Sequence, residues 1–222
     1  MIHSSTLGFL KTLKKHNHKT WFDAHRTGYL AAKADFEAFV QNLLDHTVKL
    51  DEDLRSLVVK DCVFRINRDV RFSKDKSPYK TNMGAYLNKG GKKAPFAGYY
   101  FHLEPGGKSF AGGGLWMPEG TALKAVRQEI DYSQAEFRKI ITAPSFKKQY
   151  GDLDRSSGYS LVNVPRGYEK DHPLADYLKL KSFVALRPLP DTLLSDKKLG
   201  KEVLDAFRAL YPLVKFLNRA ID

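Results

Sequence analysis

Arg65, Arg68, Arg71, Lys74, Lys76 and Lys80 share one short run with only two acids, Asp69 and Asp75, a net charge of +4. Guanidinium groups grip carboxylate or phosphate through a planar fork, and lysines add mobile point charges. Like charges crowded together repel, so the run predicts an anionic guest. Arg65, Arg68, Arg71, Lys74, Lys76, Tyr79 and Lys80 are the candidate ligand-binding residues, with Tyr79 as a wall. An extended chain turns Arg68 and Arg71 to opposite sides, so a bend near Asp69 is required to make them converge. Asp69 and Asp75 are the acids placed to orient the cations or to act as general bases. The competing reading is a loop whose charges neutralise one another.

A second group is Arg166, Tyr168, Asp171 and His172. Arginine, phenol, carboxylate and imidazole all serve acid–base chemistry, with His172 as a further catalytic candidate. Asp171 as a helix cap is the plainer reading. The turn is expected to fold against the cationic run and complete a pocket with Arg166 and Tyr168. His102 stands alone on a strand pattern and reads as an ordinary hydrogen-bonded histidine. Gly106-Gly107-Lys108-Ser109 is not a phosphate-binding loop: His102 replaces the required leading glycine, and a strand follows where a helix should. His16, His18, Asp23 and His25 lie in a solvated stretch without rigid convergence, so no metal site is expected.

The motif Arg68-Asp-Val-Arg71-Phe-Ser-Lys74-Asp-Lys76-Ser-Pro78-Tyr79-Lys80-Thr-Asn82 resembles the signature of an uncharacterised family, the domain of unknown function 2461. The resemblance extends through Tyr99-Tyr-Phe-His102-Leu-Glu104-Pro-Gly-Gly107, Gly113-Gly-Leu-Trp116-Met-Pro118 and Pro165-Arg-Gly-Tyr168-Glu-Lys-Asp-His172-Pro173. It spans roughly residues 9–220. It implies a single-domain protein of the kind found in bacteria and fungi. It carries over no catalytic residue, because the family has no established activity.

These residues must be positioned by elements legible in the pattern. Phe36, Phe39, Val40, Leu43 and Leu44 recur at helical spacing, and so do Leu123, Val126 and Ile130. Ser133 and Glu136 form a capping-box pattern for a further helix. Cys62 to Phe72 reads as a strand leaving through the cationic run, and Gly84 to Leu87 as another. Gly98 to Glu104 and Ser109 to Met117 form a hairpin. Gly112-Gly113-Gly114 inside its second strand marks a bulge or the close approach of another backbone or a ligand. Tyr159 to Val164 and Phe183 to Leu186 are further strands, and Asp171-His172-Pro173 starts a helix to about Leu180. Leu199, Val203, Phe207 and Leu210 form a C-terminal helix that Pro212 interrupts. The fold class is α+β: residues 1–222 form one domain, a central mainly antiparallel sheet with N- and C-terminal helices packed against it.

The chain of 222 residues carries a net charge of +12. It is large enough to bury a core without staples. The lone Cys62 excludes an internal disulfide and a multi-cysteine metal site, and with no signal-peptide pattern it suggests a cytoplasmic protein. No apolar run reaches membrane-helix length, so no membrane partner is expected. No cofactor motif is found. The partner expected is a small phosphate- or carboxylate-bearing ligand, bound or turned over. The alternatives are nucleic acid, with Phe72, Tyr79, Tyr86, Tyr99, Tyr100 and Trp116 as stacking rings, or an acidic partner protein. The reaction, if any, and the oligomeric state are not encoded legibly.

Overall fold

Four strands form one antiparallel meander. They are β1 (Met83–Asn88), β2 (Gly98–Leu103), β3 (Phe110–Leu115) and β4 (Phe183–Pro188), and they lie side by side in that order. The computed structural model describes every residue except residue 157. Helices α1 (Ser4–Lys15), α2 (Lys19–Ala24), α3 (Arg26–Thr47) and α4 (Val59–Cys62) precede the sheet. Helices α5 (Gly120–Tyr132), α6 (Gln134–Thr142), α7 (Pro144–Tyr150) and α8 (Ala175–Leu178) fill the connection from β3 to β4. Helices α9 (Asp191–Leu194) and α10 (Leu199–Ile221) follow. This is an α+β fold. None of the helices described is long and apolar enough to cross a membrane.

Alternation gives the sheet two unlike faces. Ala85, Leu87, Tyr99, Phe101, Leu103, Ala111, Phe183 and Ala185 are fully buried on the inner face. The helices supply the matching apolar stripe. Phe36 and Phe39 of α3 pack on Phe101, and Phe207 of α10 packs on Tyr99. The Tyr99 hydroxyl donates to the buried Asp51 carboxylate at 3.0 Å, beside Lys215 of α10. The outer face carries Gly84, Tyr86, Tyr100, His102 and Phe110, which the register sets opposite one another across the ladder.

The triple glycine of β3 does mark a close approach. A Cβ at Gly113 would fall on the Gly98 carbonyl oxygen, and one at Gly114 on the Phe183 carbonyl oxygen. Both residues also have positive φ, 147° and 114°. Only glycine satisfies both constraints.

Pro212 does not break the last helix. It lies inside α10 on the exposed side, so the Arg208 carbonyl it deprives of a partner faces water, while Leu210, Leu213, Val214 and Leu217 keep the opposite side buried. Four other expectations give way. Cys62 belongs to the short helix α4, and beyond it only isolated bridges form, Val63 to Ala85 and Asn67 to Tyr79. The run offers too few apolar side chains to bury a ladder. The stretch from Tyr159 to Val164 makes a single bridge, Ser160 to Leu180, and Val162 on it is 91% exposed. Ser133 joins α5 directly to α6 without the extended geometry of a cap: its hydroxyl donates to Glu129 at 2.9 Å, and Glu136 is taken by Arg219. The helix expected after Asp171 is confined to Ala175–Leu178.

Candidate functional site

The cationic run is a loop closed at its neck. The Arg68 amide donates to the Pro78 carbonyl at 2.9 Å, and the Lys80 amide to the Ile66 carbonyl at 2.7 Å. Ile66 and Tyr79, one from each side of the neck, are buried with Leu13 of α1 and Phe22 of α2. Tyr79 stacks flat on Phe22, ring centroids 3.9 Å apart. The neck is therefore anchored to the N-terminal helices by burial, and the tip carries the charge outward.

Most of the tip cations meet partners within the loop. Arg68 is ion-paired to Asp75 and donates to the Ser77 carbonyl at 3.2 Å. Arg71 forks onto Asp69 with contacts of 3.0 and 2.7 Å, and it is 76% exposed. Lys76 donates to the Val70 carbonyl at 3.0 Å, and Lys74 stands exposed. Both carboxylates titrate low. Hydrogen bonds from Arg71 depress Asp69, and bonds from Ser77 and then Arg68 depress Asp75 to about 2. Acids held this low orient cations and are weak bases at neutral pH.

Convergence occurs nearer the neck. A cavity of about 380 Å³ is lined by Lys14, Asn17, Arg68, Asp75, Tyr79 and Lys80, among others. A neighbouring cavity of about 240 Å³ is lined by Phe64 and Arg65 together with Tyr29, Lys33 and Glu37 of α3. Asn82 lines both. Lys80 is the unusual member. It is half-buried with its ammonium 5.5 Å from the centre of the Phe64 ring, and among the described residues it has no carboxylate partner. Burial first, and the Arg65 charge second, push its pKa down.

The second predicted cluster lies elsewhere. The segment that leads into it meets the outer edge of β4, where the Asp154 N–H donates to the Val184 carbonyl at 2.8 Å, whereas the cationic loop leaves from the β1 edge. Arg166 and Tyr168 therefore do not complete a pocket with Arg68 and Lys80; the two edges are separated by the width of the sheet. Arg166 is exposed, and Tyr168 packs beside His172 near Arg127 and Asp131 of α5. His172 is engaged at both ring nitrogens. Nδ1 accepts from the Leu174 amide at 3.0 Å, and Nε2 donates to Asp131 at 3.0 Å. That geometry fastens a turn to α5.

Gly106 and Gly107 do form an anion-binding pair of amides, filled by the chain itself: they donate to the two Asp191 oxygens at 2.8 and 2.9 Å. His18 caps α2, and His25 stacks on Trp21 with centroids 4.0 Å apart. Cys62 is buried in α4, and burial raises its thiol to about 11.

Sequence reasoning missed Lys14 and Asn17, which come from α1 and the loop after it, distant in sequence from the cations they join. It also passed over the company of His102. Tyr100 and Glu104 flank it at two-residue spacing, and the strand brings all three together on the outer face. The signal was present in the alternation of Tyr100, His102 and Glu104.

Comparison with curated proteins and with solved structures finds no match. A family model described as "Conserved hypothetical protein (DUF2461)" matches residues 5–216, and the chain belongs to that family.

Proposed function

We propose that this protein binds a small ligand bearing a phosphate or carboxylate at the neck of the cationic loop. Lys80 is its principal contact, with Arg68, Lys14, Asn17 and Arg65 around it. The supporting observation is the half-buried Lys80 ammonium, repelled by Arg65 and without a carboxylate partner among the described residues. Holding a cation there costs solvation that an anionic guest would return. Arg71, Lys74 and Lys76 at the tip draw the guest in by long-range attraction, which salt screens. The lone buried Cys62 suits a reducing compartment, and we assign the protein to the cytoplasm.

Stacking on nucleic acid is less well supported. Tyr79 and Tyr99 are buried, and the Tyr86 hydroxyl is held by the Phe96 and Gly114 carbonyls at 2.9 and 2.8 Å. Calorimetric titration with inorganic phosphate and pyrophosphate tests the reading. Binding is expected in the native protein, weakened at least about tenfold in Lys80→Met, which corresponds to roughly 1.4 kcal/mol. No heat with either anion sinks it. Binding of a single-stranded oligonucleotide with a steep salt dependence would favour the nucleic-acid alternative.

A further inference from the structure

Tyr100, His102 and Glu104 project from alternate positions of β2 and its exit, and their polar ends are joined in series. The Tyr100 hydroxyl lies 3.2 Å from His102 Nδ1, and His102 Nε2 lies 3.1 Å from Glu104 Oε2. An ionised carboxylate only accepts hydrogen bonds. Nε2 therefore carries the ring proton, and Nδ1 offers a lone pair to which the Tyr100 hydroxyl donates. The Asn82 amide nitrogen stands 3.5 Å from the same Nδ1.

The relay is held from every side. Phe110 stacks on the imidazole with centroids 4.8 Å apart and planes at 10°. Lys108 lies 3.6 Å from the second Glu104 oxygen, and the Ser109 hydroxyl accepts from the Glu104 amide at 2.9 Å. Gly84 faces His102 across the ladder, and a Cβ there would come within 2.5 Å of the Tyr100 hydroxyl. The His102 and Glu104 side chains are only 15% and 16% exposed. An apolar trio would cover the sheet without the desolvation cost of an imidazole and a carboxylate. Burial lowers the imidazole pKa, so the ring is neutral near pH 7 with Nδ1 open to accept a proton.

The three side chains line neither cavity; they neighbour the proposed binding site through Asn82 and Phe64. Asn82 lines both cavities, and Phe64 stands between the Lys80 ammonium and the Tyr100 ring, 6.3 Å from the latter. We propose that Tyr100, His102 and Glu104 form a proton relay that acts on the ligand held at Lys80. The proposal rests on the anion-binding reading for the charge of that ligand. A ligand O–H, or a C–H next to a carbonyl, gives its proton to the Tyr100 oxygen while the Tyr100 proton passes to His102 Nδ1. The imidazolium keeps its Nε2 proton on Glu104, and the ligand becomes an anion beside Lys80 and Arg65. Reversal of both transfers returns the proton to the product. The substrate class is a small phosphate- or carboxylate-bearing molecule with such an acidic position.

Hydrolysis of p-nitrophenyl acetate probes the relay without the native substrate. Water adds to the ester carbonyl as its proton enters at Tyr100, and p-nitrophenolate leaves. Rates are compared for the native chain, His102→Gln, Tyr100→Phe and Glu104→Gln between about pH 5 and pH 9, the range in which histidine titrates. The native rate should exceed those of His102→Gln and Tyr100→Phe by about tenfold or more. Its pH profile should inflect at the His102 pKa read by imidazole NMR. The charged and titratable groups facing that ring are Glu104, Lys108 and Tyr100. Glu104 favours the imidazolium, so Glu104→Gln should move the inflection to lower pH. A native rate equal to that of both deletion variants, or an inflection unmoved in Glu104→Gln, overturns the relay. Amide spectra establish which variants are folded, and either deletion variant alone suffices. Phosphate calorimetry on the native chain decides the binding reading separately, so the two failures are told apart.

Discussion

Asn17 closes both ends of its amide on the backbone of Tyr79: Nδ2 donates to the Tyr79 carbonyl at 2.8 Å, and Oδ1 accepts from the Tyr79 amide at 3.1 Å. The side chain thereby mimics a neighbouring strand, and it ties the neck of the cationic loop to the turn after α1. Asn17→Ala removes both bonds and leaves two backbone groups in a half-buried place. It should cost about 1–3 kcal/mol in urea denaturation. Amide exchange across residues 66–80 should quicken more than exchange in β2. Equal protection in both places would mean that the aromatic stack alone holds the neck.

Lys80→Met should weaken anion binding and yet raise the midpoint of urea denaturation. Burial and the Arg65 charge both disfavour the ammonium in the folded state, and the methionine keeps the apolar stem over Phe64. A lower midpoint would show that Lys80 has a stabilising role in the free protein.

Glycine substitutions should separate sharply. Gly113→Ala drives a methyl group onto the Gly98 carbonyl at a positive φ, and it should cost more than about 3 kcal/mol or abolish folding. Gly8 of α1 has nothing within 4 Å of where its Cβ would stand. Gly8→Ala should stabilise by up to about 1 kcal/mol. Thermal melts of the two variants make the comparison.

Stability should fall on the acid side through His102. Its pKa in the fold lies below the ordinary 6.5, because burial penalises the charged ring. The unfolded chain therefore takes up the proton first as pH drops. The contribution is full above about 6.5 and drains away as pH falls through the depressed folded value. Melting temperature followed from pH 8 to pH 5, where imidazole charge changes, should slope less steeply in His102→Gln than in the native protein. Parallel slopes would assign the acid lability to other groups.

Tyr99→Phe deletes the hydroxyl that serves the Asp51 carboxylate inside the core. Lys215 stands 3.8 Å from that acid and remains its nearest cation. The substitution should cost about 1–3 kcal/mol by calorimetric melting. Replacing Asp51 with asparagine in the same background should recover part of the loss by removing the charge.

Much of the fold was legible because its signals are periodic. The α3 stripe from Phe36 to Leu44 and the hairpin of β2 and β3 both announce themselves by spacing, and the glycines of β3 left a close backbone approach open beside a bulge or a ligand. Pro212 misled because local propensity cannot register that α10 is buried on the side away from the proline. Cys62 to Phe72 misled because alternation alone does not say whether a partner strand is available. Within the candidate site, charge counting found Arg68 and Lys80. It could not separate them from Arg71, whose guanidinium is satisfied by Asp69 two residues away. It also could not find Lys14 and Asn17, which reach the cavity only through the packing of α1 and Phe22 against Tyr79. Arg166 was joined to the loop by chemical type, and only the strand order sets it at the far edge.

Three successive glycines ordinarily mark the loosest stretch of a chain. In β3 they are the place where neighbouring strands are drawn in until carbonyl oxygens occupy the room that side chains would need. The amides of Gly112 to Gly114 should therefore be among the last in the molecule to exchange with deuterium. The centre of the sheet behaves as a rivet, and the relay proposed on its outer face would inherit that stiffness.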